Sequence, residues 1–207
     1  MVGHRDLGVR ATRAVEAKSA VREPLTGTTR EFLITYAQEM DFAAKILIVS
    51  DSASSGERED LAGPLLTTQL EEAGYTVFEL RVIPDGVESV ADALHSFIDG
   101  FSGLIVTSGG TGFSPRDLTP EGTLRVLDRE APGLSEAMRL VNPLGRLSRS
   151  RAGTAERTLI LNCPGSPKGA VESLGAVLDI LPHALELLLG ESPPHPPDIG
   201  GSTAISS

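Results

Sequence analysis

The 207-residue sequence contains one cysteine, no tryptophan and no long apolar run. Because Cys163 has no second cysteine to pair with, an intramolecular disulfide framework is excluded and a reducing compartment is favoured. No apolar stretch approaches the roughly 20 residues that a membrane-spanning helix requires. The first residues lack the apolar segment of a secretory signal, and Asp6, Glu16 and Glu23 argue against a transit peptide. We therefore expect a cytoplasmic protein that does not act in a membrane.

Positive charge is scarce as well. The chain carries 18 lysines and arginines against 28 aspartates and glutamates, which gives a formal net charge of −10. Non-specific binding of nucleic acid requires clustered basic side chains that face phosphates, so this composition argues against a nucleic-acid partner. An anionic ligand would have to be attracted locally, by helix N-termini, a few arginines or a metal ion.

The two ends of the chain differ in composition from the segment between them. Residues 1–41 show weak hydrophobic periodicity and mixed charge, which predicts a flexible N-terminal extension and makes Met40 a candidate for the true start. Residues 192–207 are rich in proline, glycine and serine, which predicts a disordered tail. Residues 42–191 are therefore predicted to form one folded domain.

Within that domain, apolar runs of strand length alternate with helical patterns. Strands are predicted over 44–50, 75–83, 103–108 and 157–163, and helices over 58–74, 87–99, 119–130 and 132–140, with one or two more over 168–190. Pro182 marks a break or kink in the last segment. This alternation predicts an α/β fold with a parallel sheet that is covered by helices on both faces. Ligands of such folds bind beyond the carboxyl ends of the strands, so the loops that follow the strands form the candidate site.

The loop after the third predicted strand, SGGTGFSPRD, contains Gly109, Gly110 and Gly112. It lacks the Gly-Lys-Ser/Thr of a P-loop and the G-x-G-x-x-G spacing of a dinucleotide-binding fold. Successive backbone N–H groups in a glycine loop can still form an anion-binding nest, to which the following helix adds its positive end. Thr119 is predicted to cap that helix. The alternative is a tight turn without a ligand, but such a turn would not need Asp117 beside so much open backbone.

Carboxylates follow two further strands. Asp51 stands in the serine-rich loop VSDSASSG, and Asp85 stands in the turn IPDG. A turn without a ligand also explains each of these loops. Because Asp85 and Asp117 both follow strands at the same predicted edge of the sheet, they suit a hard cation such as Mg²⁺ that bridges substrate phosphates.

Two segments near the last strand are harder to interpret. NCPGSPK, over 162–168, is either a plain turn or part of the site. Cys163 is expected to pack as a small hydrophobic side chain and not to act as a nucleophile, since no histidine stands in a pairing position. RLSRSRAG, over 146–153, is a basic patch in an acidic chain. It is either a solvated loop or a clamp for an anionic ligand.

Six segments together resemble one family. VSDSASSG, IPDG, SGGTGFSPRDLTPEGT, REAPGLSEAMR, LSRSRAG and LNCPGSP stand in the order found in the molybdenum cofactor biosynthesis family that includes MoaB, Mog and molybdopterin adenylyltransferase. The resemblance covers about residues 44–190, and the block GGTGFSPRDLTPE is its most specific part. It implies a three-layer α/β/α domain with a mostly parallel sheet, usually assembled as a homotrimer or a larger homo-oligomer. It also implies Mg²⁺-dependent transfer of AMP from ATP to the terminal phosphate of molybdopterin, with release of pyrophosphate and delivery of the product to a molybdenum insertase.

The resemblance also implies roles for individual residues. Asp85 and Asp117 are the expected catalytic and metal-binding residues. The expected nucleotide- and phosphate-binding residues are Ser108, Gly109, Gly110, Thr111, Gly112, Arg116, Thr119, Pro164, Gly165, Ser166 and Pro167. The expected pterin-binding residues are Asp51, Ser52, Ser54, Ser55, Gly56, Ser148, Arg149 and Ser150.

Other functions stay open at this point. The segment over 141–145, which leads into the expected pterin site, looks shorter than in the family pattern. That makes pterin binding the least secure part of the resemblance. A separate alternative is a carrier that binds molybdopterin without catalysis. Another is a hydrolase of nicotinamide mononucleotide or ADP-ribose with the same fold, although the Gly-Thr-Gly over 110–112 together with Arg116 and Asp117 favours the adenylyltransferase. The insertase shares the fold but needs additional domains, and the sequence does not distinguish a molybdenum from a tungsten pathway.

Overall fold

The computed structural model describes residues 42–190. The predicted N-terminal extension over 1–41 and the predicted tail over 192–207 lie outside the described residues. The proposed domain limits at 42 and 191 therefore stay predictions. Within residues 42–190, no helix is long and apolar enough to cross a membrane.

The described residues form strands and helices in alternation along most of the chain. The strands are β1 (Phe42–Val49), β2 (Tyr75–Ile83), β3 (Gly103–Ser108), β4 (Arg129–Glu130), β5 (Ala152–Ala155) and β6 (Thr158–Cys163). The helices are α1 (Asp51–Ser54), α2 (Ala62–Glu72), α3 (Val87–Ile98), α4 (Thr119–Leu124), α5 (Pro132–Leu140), α6 (Pro167–Gly175) and α7 (Leu181–Leu189), with a 3-10 helix at Pro143–Leu147. The segment over 168–190 thus contains two helices, and the break precedes Pro182.

The strands form one mixed sheet in the order β2-β1-β3-β6-β5-β4. β1 pairs in parallel with β2 and β3, and β3 pairs in parallel with β6. β5 is antiparallel to both β6 and β4. The expected α/β fold with a mostly parallel sheet is confirmed, and the two strands that the sequence analysis missed are β4 and β5.

Apolar side chains pack on both faces of this sheet, which makes the domain three-layered. On one face, Ile46 and Leu161 pack with side chains of α2, α5, α6 and α7, such as Leu66 and Leu174. On the other face, Leu47, Ile105 and Ile160 pack with α3 and with Val126, which follows α4. All residues of β3 and β6 are buried, as expected for central strands covered on both sides.

The predicted helix over 119–130 is wrong in its second half. α4 ends at Leu124, and Arg129 and Glu130 form β4, which pairs with Thr154 and Gly153 of β5. A Cβ atom on Gly153 would lie 2.3 Å from the carbonyl oxygen of Arg129, so the two strands approach this closely only because residue 153 is glycine.

The predicted helix over 58–74 begins later than expected, at Ala62. The Asp60 carboxylate accepts hydrogen bonds from the backbone N–H of Ala62 at 2.9 Å and of Gly63 at 3.0 Å. These bonds satisfy amides that have no partner within the helix, so Asp60 fixes the start of α2 and residues 55–61 form a loop.

Candidate active site

The loops after the four parallel strands begin at the same edge of the sheet. Val49 pairs with Ile83, and Ser108 pairs with both Ile48 and Cys163. The carboxyl ends of β1, β2, β3 and β6 are therefore side by side, as the sequence analysis expected. This edge carries most of the predicted site residues.

Asp51, Asp85 and Arg116 form a closed hydrogen-bonded group at this edge. The Asp51 N–H donates to Asp85 Oδ2 at 2.9 Å, and the Asp85 N–H donates to Asp51 Oδ1 at 3.0 Å. Arg116 donates from Nε to Asp51 Oδ2 at 3.0 Å and from Nη2 to Asp51 Oδ1 at 2.9 Å. Arg116 Nη2 also donates to the Asp85 carbonyl oxygen at 2.9 Å. This group joins the loops after β1, β2 and β3.

The two aspartates of this group have opposite electrostatic environments. Hydrogen bonds from the Arg116 guanidinium hold the pKa of Asp51 below its usual value. Burial raises the pKa of Asp85, and the carboxylates of Asp51 and Asp117 raise it further, whereas a hydrogen bond from the Asp51 amide and the charge of Arg116 lower it by less. Ionised Asp85 is therefore short of positive charge, so it is the carboxylate that a bound cation would stabilise.

The glycine loop requires its glycines at two positions. Gly109 has φ of +112°, and a Cβ atom there would lie 2.1 Å from the Val49 carbonyl oxygen. Gly110 has φ of +60°, and a Cβ atom there would lie 2.9 Å from Asp85 Oδ1 and 2.4 Å from Thr119 Oγ1. The backbone at Gly110 is thus directly against the Asp85 carboxylate. The backbone amides of Gly110, Thr111 and Gly112 donate to no acceptor within residues 42–190, which leaves them available to an anion.

Thr119 does not cap the helix as predicted. Leu118 is the N-cap residue and makes no side-chain capping bond, while Thr119 is the first residue of α4 and Pro120 follows it. The Thr119 N–H donates to the Gly110 carbonyl oxygen at 3.0 Å, so Thr119 holds the glycine loop through its backbone. Its buried hydroxyl has no hydrogen-bond partner among the described residues.

The Asp117 carboxylate lies against the same loop. Asp117 Oδ2 accepts a hydrogen bond from the Ser114 N–H at 2.8 Å, and the Asp117 N–H donates to the Ser114 carbonyl oxygen at 2.9 Å. A Cβ atom on Gly112 would lie 2.9 Å from Asp117 Oδ2. Within residues 42–190, no hydrogen bond reaches Asp117 Oδ1 or Asp85 Oδ1.

The loop after β6 closes this side of the site. Ser108 Oγ donates to the Pro164 carbonyl oxygen at 2.9 Å, and the Gly109 N–H donates to the Cys163 carbonyl oxygen at 3.2 Å. A Cβ atom on Gly165 would lie 3.1 Å from Gly109 Cα. Cys163 itself is fully buried in the core, and burial raises the pKa of its thiol to about 12. The expectation that Cys163 packs as a small hydrophobic side chain is confirmed.

A pocket of about 230 Å³ lies among these loops. Predicted site residues in its lining are Asp85, Ser108, Gly109, Gly110, Asp117, Gly165 and Pro167. The loop before α2 adds Arg58, Glu59 and Asp60, which the sequence analysis missed because it assigned residues 58–61 to a helix. In the sequence, Asp60 was the available signal for this loop, because an aspartate just before an apolar helical pattern marks the start of a helix.

A second pocket, of about 350 Å³, lies beside the first. It is lined by Ser148, Arg149 and Ser150 together with Glu121, Arg139 and Arg151. The predicted pterin-binding residues are therefore divided. Asp51 belongs to the group around the first pocket, whereas residues 148–150 line the second.

The remaining predicted pterin-binding residues lie on or just after α1. The Ser54 hydroxyl donates to the Asp51 carbonyl oxygen at 2.9 Å, and the Ser55 hydroxyl donates to the Ser52 carbonyl oxygen at 3.3 Å. Gly56 has φ of +77°, which a left-handed turn requires. These side chains make local contacts and do not line either of the two pockets.

The donor set of the first pocket fits a hard cation in part. No group of three or more histidine, cysteine, aspartate or glutamate residues is arranged to hold a metal within residues 42–190. Asp85 and Asp117 both line the pocket, however, and each has one carboxylate oxygen without a hydrogen bond from the described residues. Two carboxylates suit Mg²⁺ when substrate phosphates supply further oxygens, as is usual for this ion.

Fold and site together define a class of protein. It is a three-layer α/β/α domain whose ligand pocket lies at the carboxyl edge of the sheet, between a glycine loop with free amides and two carboxylates. Comparison with known proteins then identifies the family. A family model described as "Probable molybdopterin binding domain" matches residues 45–183.

Individual relatives agree with this match. Molybdopterin adenylyltransferase of Helicobacter pylori strain J99 is 37% identical over 152 residues, which are 70% of this chain and 86% of that protein. Molybdopterin adenylyltransferase of Escherichia coli K12 is 42% identical over 141 residues, which are 65% of this chain and 72% of that protein. The solved structure of the molybdopterin biosynthesis enzyme MoaB from Thermus thermophilus has a TM-score of 0.69 and 47% identity, and covers 72% of this chain and 98% of that one. The chain belongs to the molybdopterin-binding domain family of MoaB and Mog proteins, as its motifs predicted.

Proposed function

We propose that this protein is a molybdopterin adenylyltransferase that acts in molybdenum cofactor biosynthesis. It transfers AMP from ATP to the terminal phosphate of molybdopterin and releases pyrophosphate. The observation that carries this proposal is the convergence of the glycine loop, Asp85 and Asp117 on one pocket, in a chain that belongs to this family.

The chemistry requires positioning more than a strong base. An oxygen of the molybdopterin phosphate attacks the α-phosphorus of ATP, and the bond from this phosphorus to the pyrophosphate oxygen breaks. A phosphate monoester has a second pKa of about 6, so the nucleophile is largely ionised at neutral pH. The barrier lies in bringing two anions together and in stabilising charge on the leaving pyrophosphate.

The first pocket, which Gly110 lines, and the rest of the glycine loop are suited to these tasks. The free amides of Gly110, Thr111 and Gly112 would donate to phosphate oxygens of the nucleotide. Asp85 and Asp117 would hold Mg²⁺, which neutralises phosphate charge when it is bound. Arg116 is already paired with Asp51, so an anionic ligand would have to compete with that carboxylate for its guanidinium.

We propose that molybdopterin occupies the second pocket. Ser148 and Ser150 line this pocket with Arg139 and Arg151, whose guanidinium groups would donate hydrogen bonds to a phosphorylated acceptor. Arg151 is already paired with Glu130, so the acceptor would have to compete with that carboxylate. The Ser150 hydroxyl is buried and has no hydrogen-bond partner among the described residues, which fits a polar ligand. We also propose that the protein works in the cytoplasm as a homotrimer or a larger homo-oligomer and passes its product to a molybdenum insertase. Exposed Leu140, Leu144 and Leu147 are apolar candidates for a subunit contact.

A turnover assay with purified protein, ATP, Mg²⁺ and molybdopterin tests the activity by following pyrophosphate and adenylylated pterin. We expect Asp117→Asn to lower kcat at least about 100-fold, a loss typical of removed transition-state stabilisation, while the Kd for ATP changes less than about threefold. Asp92→Asn, on the exposed face of α3, is the matched control and should retain wild-type turnover.

Two outcomes would contradict these roles. Equal losses of turnover and ATP binding in Asp117→Asn would mean that Asp117 only binds the nucleotide. Binding of molybdopterin without any release of pyrophosphate by the wild-type protein would replace the enzyme with a carrier.

A further inference from the structure

Arg149 directs its hydrogen-bond donors at the protein itself. Its Nε donates to the Gly112 carbonyl oxygen at 2.8 Å, Nη1 donates to the Glu121 carboxylate, and Nη2 donates to the Asp117 carbonyl oxygen. Its backbone N–H donates to the Thr111 carbonyl oxygen at 2.8 Å. All three guanidinium nitrogens and the amide of Arg149 therefore bind the glycine loop or the first turn of α4.

The backbone around Arg149 is fixed to the sheet. The Ser150 carbonyl oxygen accepts a hydrogen bond from Arg139 Nη1 at 3.0 Å. The Arg151 N–H donates to Asn162 Oδ1 at 3.1 Å, and the Asn162 N–H donates to the Arg151 carbonyl oxygen at 2.9 Å. Asn162 is fully buried on β6, so Arg149 extends from a rigid base to the loop.

The loop over 111–117 has little else to hold it in place. Its internal bonds join Ser114 to Asp117 and Arg116, and Phe113 near its centre is 68% exposed. Among its residues only Thr111, at its start, is buried. Arg116 ties one side of the loop to Asp51, but both of these side chains are about half exposed to solvent. Arg149 supplies the attachment on the other side.

The charge of Arg149 is also already compensated. Its partner Glu121 is a carboxylate, and the carbonyl oxygens of Gly112 and Asp117 take the other donors. A planar guanidinium spreads its donors over three nitrogens in fixed directions and so reaches three separated acceptors at once, whereas the three donors of a lysine ammonium all leave one nitrogen. This geometry suits an arginine that shapes a loop, because each of its three guanidinium nitrogens already donates to a protein acceptor although Arg149 also lines the second pocket.

We propose that Arg149 is a positioning residue that holds the loop over 111–117 in the conformation that receives the nucleotide phosphates, and that it does not bind molybdopterin. The proposal rests on the proposed function and assigns Arg149 to the nucleotide side of that reaction. It replaces the expectation that Arg149 contacts the pterin.

The test uses the full chain with Arg149→Ala, Arg149→Lys and the control Arg125→Ala. Arg125 forms an exposed ion pair with Glu88 just after α4 and has no contact with the loop, so its removal controls for the loss of a surface arginine. Hydrogen exchange of peptides spanning 109–118 is measured first. The Kd for ATP with Mg²⁺, the Kd for molybdopterin without ATP, and kcat follow. The Kd for ATP and the turnover are then measured again with added guanidinium.

In Arg149→Ala we expect faster exchange confined to residues 110–118, at least tenfold weaker ATP binding, and a Kd for molybdopterin within twofold of wild type. Guanidinium should restore at least part of the ATP affinity, and Arg149→Lys should behave like the alanine variant. Arg125→Ala should match wild type in every measurement.

A tenfold loss of molybdopterin affinity with unchanged exchange in the loop would overturn the proposal and make Arg149 a pterin ligand. If the alanine variant does not fold, the same measurements on Arg149→Lys decide the matter. If the wild-type protein shows no turnover, the adenylyltransferase fails as a function, but the exchange and ATP-binding measurements still support or reject the positioning role.

Discussion

In the folded chain alone, the surroundings of Asp85 disfavour its ionised carboxylate, and a bound cation would compensate for this. Its carboxylate is partly buried and faces the carboxylates of Asp51 and Asp117, and these effects raise its pKa. Asp51, by contrast, is paired with Arg116 and has a lowered pKa. Perturbed carboxylates of this kind concentrate at functional sites, where charge is arranged for a bound partner.

We expect Asp85→Asn to stabilise the protein at neutral pH while abolishing turnover. Because the folded-state pKa of Asp85 is above the usual value of 3.8, the ionised form costs stability. This cost is absent well below pH 3.8, grows as the pH rises from 3.8 to the folded-state pKa, and is complete above that pKa. The midpoint of thermal unfolding of Asp85→Asn should therefore be about 1–2 °C above that of the wild type at pH 7. Well below pH 3.8 the two midpoints should be equal.

Thermal unfolding of the wild-type protein and of the Asp85→Asn and Asp92→Asn variants across this pH range shows whether the loss of the Asp85 charge raises or lowers the midpoint. The amide that replaces the Asp85 carboxylate can still accept the hydrogen bond from the Asp51 N–H through its own carbonyl oxygen. A lower midpoint for Asp85→Asn than for Asp92→Asn at pH 7 would show that the Asp85 carboxylate stabilises the fold.

At the scale of elements, the glycine loop is the part that depends most on the absence of side chains. Gly110 and Gly100 have nearly the same backbone conformation, with φ of +60° and +64°. A Cβ atom on Gly110 would collide with Thr119 and approach Asp85, whereas a Cβ atom on Gly100 would have nothing within 4 Å.

Gly110→Ala should therefore weaken ATP binding at least tenfold, and Gly100→Ala should leave it unchanged. The backbone strain of alanine at positive φ costs each variant about 1 kcal/mol and cancels in the comparison, whereas the collision of the Cβ atom occurs only at Gly110. Calorimetric titration with ATP and Mg²⁺, together with thermal unfolding, separates the two effects. Similar ATP affinities of the two variants would mean that the nucleotide does not approach the loop at Gly110.

The elements with strong hydrophobic patterns could be predicted from the sequence, and the weakly patterned ones could not. β2 and β3 have the predicted bounds, and the rule that ligands bind at the carboxyl edge placed Asp85 and Asp117 at one pocket. β5 was missed because Ala-Gly-Thr-Ala has almost no apolar bulk and forms a strand only through its pairing with β6.

Long-range contacts account for the rest of the site that the sequence analysis missed. Arg116 binds Asp51, which is 65 positions away, and Arg149 binds Gly112, which is 37 positions away. Neither pairing has a local pattern in the sequence. Arg149 reaches the glycine loop because β5 runs antiparallel to β6, so the residues before β5 begin at the edge where β6 ends. Because the sequence analysis missed β5, it could not predict that the basic patch over 146–153 lies beside the glycine loop.

At the scale of the whole molecule, the described residues form a hydrophobic core on each face of the sheet. The first strand begins at Phe42, whose ring packs against that of Tyr75 at a centroid distance of 5.9 Å. We therefore expect a chain reduced to residues 42–191 to unfold within about 3 °C of the full chain, since the buried contacts of the domain are retained. Differential scanning calorimetry of both chains checks this boundary. A much larger loss of stability would mean that residues beyond 42–191 contribute to the folded core.

Arg149 joins the two pockets physically. It contacts Asp117, which lines the first pocket, and Glu121, which lines the second. A molecule that displaces Glu121 or the Arg149 segment therefore changes the loop to which we assign the nucleotide phosphates. Thermodynamic linkage makes such an effect mutual, so the factor by which molybdopterin alters the affinity for ATP equals the factor by which ATP alters the affinity for molybdopterin. The order in which the two substrates arrive then changes the route to the ternary complex but not its free energy of formation.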